Sequence, residues 1–193
     1  MADSLPSVYL IRHGETAWSL SRQHTGRTDI PLTERGERDA RALSTRLQHL
    51  TFAKVLSSPL SRARRTAELA GFADRIELEP DLMEWDYGAY EGRRTSEIRA
   101  ERPDWDPFID GCPGGETVAD VGARADRVIA RLRGLQGDAA LFAHRDILRV
   151  LAARWIELPA LEGRRLYLET ASVSVLGYDH DPSEPIIRGL NDT

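Results

Sequence analysis

Val8-Tyr9-Leu10-Ile11-Arg12-His13-Gly14-Glu15-Thr16 runs from an apolar segment straight into an arginine, a histidine and a glycine. Ser7 to Ile11 reads as a short buried strand, which delivers Arg12 and His13 to its C-terminal end. Near neutral pH an imidazole is available as an unprotonated nucleophile, and the guanidinium beside it holds an anion by charge and planar hydrogen bonds. Gly14 lets the backbone come close to a ligand. An Arg-His pair alone also describes a charged surface loop, so the rest of the chain decides between the two readings.

Working outward, a loop runs to Pro31, Thr33 is placed to cap a helix with Glu34 in its first turn, and Ala40, Leu43, Leu47 and Leu50 give that helix one apolar face. Ala53 to Leu56 is a second strand, closed by Ser57-Ser58-Pro59 and followed by a helix carrying Arg62, Arg64, Arg65, Thr66 and Leu69. Arg75 to Leu78 is a third strand. The stretch 79–116 is rich in Pro, Gly, Trp and Tyr, holds one brief helix near Thr95 to Glu101, and reads as an irregular packed cap or rim inserted in a single domain spanning 1–193. Helical spacing returns at Val118, Val121, Ala125, Val128, Ile129 and Leu132, before a fourth strand from Ala139 to Ala143 that ends at His144. Ile147 to Trp155 is apolar on most faces, Ser172 to Tyr178 alternates as a strand, and Ile186 to Arg188 reads as a short last one.

Strands alternating with helices predict an α/β fold with a mostly parallel sheet and helices on both faces. Ligands of such sheets bind beyond the carboxyl ends of the strands. His13, Arg62 and His144 all fall at that edge, and Glu84, shortly after the third strand, is the acidic residue best placed to join them. Glu84 as a surface carboxylate paired with an arginine is the competing reading.

Composition narrows the partners. A chain of 193 residues with 41% hydrophobic and 30% charged residues and a net charge of -5 offers no global basic field for nucleic acid, so an anion site must be a local concentration of arginine. The single cysteine, Cys112, excludes an internal disulfide and a clustered-thiolate metal site, and it fits a reducing compartment. Met1-Ala2-Asp3-Ser4-Leu5-Pro6 lacks the basic segment and apolar core of a signal peptide, and no run is long and apolar enough to span a membrane. The expectation is a cytoplasmic protein with no membrane or nucleic-acid partner. Asp179-His180-Asp181 lies in a turn beside Pro182 without metal-site spacing, so no metal is expected.

Four segments in order, Arg12-His13-Gly14-Glu15-Thr16, Ser58-Pro59-Leu60-Ser61-Arg62-Ala63, Glu84-Trp85-Asp86-Tyr87-Gly88 with Glu91-Gly92, and Ala143-His144, resemble the histidine phosphatase superfamily in its phosphoglycerate-mutase-like branch. The resemblance covers nearly the whole chain. Trp18-Ser19, Thr25-Gly26-Arg27-Thr28-Asp29, Gly114-Gly115-Glu116-Thr117 and Gly177-Tyr178 are most similar to small phosphatases of the sedoheptulose-bisphosphatase type. It implies a phosphoglycerate-mutase-like three-layer sandwich around a mixed, mostly parallel sheet. It also implies a phosphomonoester hydrolase needing neither metal nor cofactor, acting through a phosphohistidine on sugar phosphates or other small phosphorylated metabolites.

Carried onto this chain, the resemblance makes His13 the nucleophile. Arg12, Arg62 and His144, the last as an imidazolium, would hold the phosphoryl oxygens, and Glu84 would protonate the leaving alkoxide and then activate water. Ser19, Thr25 and Gly26 would line the phosphate-proximal wall, with Tyr87 at the rim. The segment after Glu84 lacks the long basic insertion of a bisphosphoglycerate-dependent mutase, which favours hydrolysis. A mutase and a catalytically impaired phosphate-binding module are the alternatives, and nucleotides, inositol phosphates and a homodimer stay open. His24, His49 and His180 read as surface histidines, and Trp85, Tyr90 and Trp105 as packing residues.

One departure concerns the substrate. Arg145 follows His144 where the family usually has glycine, and Arg22 stands where similar relatives often have glycine. Arg145 is therefore a substrate-binding candidate with three readings: a cation for a second phosphate or a carboxylate, a side chain that crowds the site, or one that points away to pair with Asp146.

Overall fold

β1 (Val8–Arg12) lies inside a six-stranded sheet in the computed structural model, which describes residues 5–193. Met1 to Ser4, the start of the N-terminal stretch read above, lie outside the described residues. After β1 come α1 (Ala17–Ser21), α2 (Glu34–Leu47), β2 (Phe52–Ser57), α3 (Ser61–Ala67) and β3 (Ile76–Leu78). α4 (Thr95–Glu101), α5 (Pro107–Asp110), α6 (Val118–Arg133), β4 (Asp138–Ala143), α7 (Arg145–Trp155), β5 (Val173–Tyr178) and β6 (Pro185–Asp192) complete the order.

The strands lie in the order β3-β2-β4-β1-β5-β6. β2 pairs parallel with β3 and β4, and β4 with β1, while β5 runs antiparallel to both β1 and β6. Successive side chains of a strand point to opposite faces, so each strand feeds two cores. Leu10, Leu56 and Leu141 pack with Val121 and Val128 of α6 and Leu148 and Leu151 of α7. Ile11, Val55 and Phe142 pack instead with Leu43 and Leu47 of α2. Burying each such side chain contributes about 1.5–3 kcal/mol. Trp85, Tyr90, Trp105 and Phe108, from the aromatic stretch 79–116, are buried in the same core as α6 and α7. Among the described residues no helix is long and apolar enough to cross a membrane.

Thr33 caps α2 by accepting from the Gly36 amide at 3.0 Å, and Glu34 and Glu37 occupy the first turn. The periodic positions Ala40, Leu43 and Leu47 are its buried face. Two short helices escape the sequence pattern because neither has a long apolar stripe. α1 buries no residue and is held by a Thr16–Ser19 capping box, and α5 starts from an Asp106 cap with Pro107 in its first turn. β6 is also longer than the predicted Ile186 to Arg188. It is an edge strand with no fully buried residue and with register shifts in its pairing with β5, so its apolar signal is weak.

The loop after His13 presses on the start of α2. A Cβ on Gly36 would overlap the Glu15 carbonyl oxygen and sit 2.7 Å from the Glu15 amide nitrogen. Both obstacles are backbone, so neither moves cheaply. Gly36→Ala is expected to lower unfolding stability by about 1–3 kcal/mol, read as a lower urea midpoint at unchanged slope.

Candidate active site

β1, β2 and β4 end side by side, and the chain just beyond β1, β2 and β3 still bonds to the neighbouring strand. The His13 amide donates to the Ala143 carbonyl at 3.0 Å, the Ser58 amide to Phe142 at 2.9 Å, and the Glu79 amide to Ser57 at 2.8 Å. A cavity of about 620 Å³ opens above this edge. Arg12, His13, Ser19, Thr25, Glu84, Tyr87 and Arg145 line it.

The His13 ring is oriented by its own loop. Nδ1–H donates to the Gly14 carbonyl at 2.7 Å, which leaves Nε2 open toward the cavity. Burial, then the charges of Arg62 and Arg12, hold the imidazole well below its ordinary pKa, so the ring is neutral and its free nitrogen carries a lone pair. Arg12 donates through Nη1 to the Leu168 carbonyl at 2.6 Å. Its buried Nε has no hydrogen-bond partner among the described residues. An unpartnered N–H on a buried cation is costly, and an oxyanion beside His13 would satisfy it.

Arg62 and His144 are fully buried next to this group, with the His144 ring 5.2 Å from that of His13. Arg62 donates from Nε to His144 Nδ1 at 3.0 Å, from Nη1 to the Thr28 carbonyl at 3.0 Å and from Nη2 to the Gly26 carbonyl at 2.8 Å. His144 Nε2–H in turn donates to Ser58 Oγ at 2.8 Å. The expected imidazolium is therefore corrected. Burial and the neighbouring charges of Arg62, His13 and Arg12 hold His144 well below its ordinary pKa, and its Nδ1 is an acceptor.

Glu84 is pinned by backbone amides. Its Oε1 accepts from Trp85 at 2.9 Å and Ile147 at 3.0 Å, and both oxygens accept from Asp146 at 3.2 and 3.1 Å. Two of these amides belong to the first turn of α7, whose dipole favours a carboxylate. Burial and the charge of Asp146 prevail, however, and the Glu84 pKa is raised. Asp146 goes the other way. Burial pushes it up, but Arg149, Arg145 and the hydrogen bonds from Tyr87 and Arg149 outweigh that and hold it at about 2. Tyr87 donates to its Oδ2 at 2.5 Å and Arg149 to its Oδ1 at 2.6 Å. Of these two neighbouring carboxyls, Glu84 is the one whose acid form its surroundings favour.

Not every candidate lands where the sequence reading puts it. Gly26 is off the cavity wall, buried against Glu91 and Trp85 with no room for a Cβ, and its carbonyl serves Arg62. Ser19 reaches the wall, but its hydroxyl is engaged in the cap of α1. His24 is a wall residue rather than a surface histidine, packed 4.7 Å from the Tyr87 ring and 5.3 Å from that of Trp105. Tyr167 and Glu169 are further wall residues that no sequence pattern marks. They arrive because β5 is antiparallel to β1, which brings the residues before β5 to the end of β1, where the Ala171 amide donates to the His13 carbonyl at 3.1 Å. Arg145 lines the cavity with Nε 3.7 Å from Asp146 Oδ1 and its guanidinium 6.0 Å from the Tyr167 ring centre. Asp179, His180 and Glu184 come together at the exposed β5–β6 turn, at the opposite edge of the sheet from His13, while Asp181 turns to Ser183.

Comparison with known proteins gives concordant matches. A sequence model of the histidine phosphatase superfamily (branch 1) matches residues 8–193. An acid phosphatase of Mycobacterium tuberculosis is 40% identical over 187 residues, 95% of this chain and 92% of the relative. A sedoheptulose 1,7-bisphosphatase of Saccharomyces cerevisiae is 37% identical over 191 residues, 82% of this chain and 70% of the relative. The solved structure of a Mycobacterium tuberculosis open reading frame product superimposes with a TM-score of 0.91 at 38% identity, covering 97% of this chain and 98% of the other. The mixed sheet with its flanking helices is thus the phosphoglycerate-mutase-like α/β fold.

Proposed function

This chain belongs to the histidine phosphatase superfamily, branch 1, and is a phosphatase of small phosphorylated metabolites; on that premise we propose that it hydrolyses phosphomonoesters, sugar phosphates foremost, through a phosphorylated His13. One observation carries the reading. A neutral imidazole with its Nδ1–H committed to Gly14 has Nε2 free at a cavity also lined by Arg12, whose buried Nε has no hydrogen-bond partner among the described residues.

In the first step Nε2 attacks phosphorus and the P–O ester bond breaks. Glu84 gives its proton to the departing alkoxide, and the alcohol leaves. In the second, the Glu84 carboxylate takes a proton from water, whose oxygen attacks phosphorus. The P–N bond then breaks, freeing His13 and inorganic phosphate. Arg12 and Arg62 supply fixed positive charge, and His144 Nε2–H exchanges Ser58 for a phosphoryl oxygen, so charge on the transferring group meets donors already in place.

The test is inorganic phosphate release from fructose 6-phosphate in the presence of a chelator, followed against pH. The lowered His13 pKa keeps the nucleophile unprotonated into the acid range, and the raised Glu84 pKa keeps the acid form above the usual carboxyl range. kcat/KM is expected to peak on the acid side of neutrality, falling as pH rises through the Glu84 pKa and again as it drops through that of His13. The name acid phosphatase carried by the Mycobacterium tuberculosis relative agrees with such a profile. Activity that climbs toward alkaline pH, that disappears with chelator, or that transfers phosphate to an acceptor sugar would each contradict the reading.

A further inference from the structure

The cavity is larger than a phosphoryl group requires, at about 620 Å³, and its walls carry more cation than their carboxylates neutralise. Glu15 is taken by the Thr33 hydroxyl at 2.8 Å and by Arg35 at 4.0 Å, and Arg35 also pairs with Asp39 at 3.7 Å. Glu169 accepts from the Tyr167 hydroxyl and acts on Arg12. Asp146 is a single carboxylate between two guanidiniums, Arg149 at 2.6 Å and Arg145 at 3.7 Å. Arg149 is the buried partner, with a side chain 8% exposed, whereas the Arg145 side chain is 46% exposed and faces the cavity over the Tyr167 ring. The surplus charge is therefore on Arg145.

Arg22 is the second uncompensated cation. Its exposed side chain lines the same cavity and makes no ion pair or hydrogen bond among the described residues. Its backbone is left-handed, with φ 62° and ψ 32°, a conformation that strains any residue with a Cβ and that glycine adopts freely. Among the described residues no ion pair or hydrogen bond to the guanidinium offsets that strain. An anionic ligand would.

We propose that Arg145 and Arg22 form a second anion subsite at the mouth of the His13 cavity, so that the preferred substrates are phosphomonoesters bearing a further phosphoryl or carboxylate group. The inference rests on the phosphatase reading for which group is cleaved, but its recognition claim can be measured without turnover. A planar guanidinium serves either anion with paired hydrogen bonds, and that of Arg145 lies 6.0 Å from the Tyr167 ring centre.

Two matched pairs separate the anions: fructose 1,6-bisphosphate against fructose 6-phosphate, and 3-phosphoglycerate against glycerol 3-phosphate. Affinities are measured by calorimetry in a His13→Ala background, and kcat/KM in the active protein. The member with the additional anion is expected to bind about ten- to a hundredfold more tightly in at least one pair. Arg145→Gln and Arg22→Gly should each cut that ratio about tenfold, mainly through KM, with Arg145→Lys retaining part of it. A loss confined to the first pair identifies a phosphoryl subsite, one confined to the second a carboxylate subsite. Arg22→Gly is expected to melt at the same temperature or higher. Ratios near one in the parent protein, or equal losses for both members of each pair, overturn the subsite. A preference that persists in the binding data without any turnover overturns the hydrolytic reading instead.

Discussion

His13→Ala is expected to reduce phosphomonoester turnover by at least about 10⁴-fold while leaving the protein folded. The size of the effect follows from what the imidazole does. Nε2 is the atom that bonds phosphorus, and the neighbouring ring of His144 does not replace it, because its Nδ1 accepts from Arg62 and its Nε2 carries the proton. The fold survives because the backbone carries the local structure. The residue 13 amide still bonds Ala143 and its carbonyl still receives the Ala171 amide, so the side-chain bond given up is the one to Gly14. Steady-state phosphate release and a thermal melt read the two halves together. Turnover within tenfold of the parent would remove His13 from the reaction.

The second large effect is at Glu84. Glu84→Gln keeps an oxygen to accept from the Trp85 and Ile147 amides but removes the proton that the alkoxide needs. With an alkyl phosphate, kcat is expected to fall by about 10²–10⁴-fold, and the alkaline limb of the pH profile should vanish with it. para-Nitrophenyl phosphate separates the two roles of the carboxyl, because nitrophenolate departs without a proton. Its first step should survive and its second should not, giving a burst of nitrophenolate followed by slow turnover. An undiminished alkaline limb in the variant would place the acid elsewhere. Asp146 is a poor substitute, held ionised at about 2 by the guanidiniums around it.

How far the sequence carried depends on which residue is considered. His13 and His144 were legible because each directly follows a buried strand, and strand ends in a parallel sheet converge on one edge. Glu84 was legible as the acidic residue after the third strand. Tyr167 and Glu169 were not, since they precede β5, and only the antiparallel pairing of β5 with β1 turns the start of one strand toward the end of the other. His24 carries no signal in the sequence that sets it apart from a surface histidine. Its packing on Tyr87 and Trp105 is a tertiary contact between segments more than sixty residues apart. The charge state of His144 is likewise a product of three-dimensional neighbours, set by burial and by the Nε–H that Arg62 aims at its ring. Of the three readings of Arg145, the structure removes the one in which it points away: it lines the cavity, with Nε 3.7 Å from Asp146 Oδ1.

Reaction through His13 requires a covalent bond between phosphorus and its imidazole, and rapid quenching of Glu84→Gln with para-nitrophenyl phosphate traps that bond. A phosphoryl group is expected on the peptide containing His13 at about one per chain, formed with the burst, stable in alkali and lost in acid. A burst with no phosphoryl group on that peptide, or with the group on another residue, would contradict it.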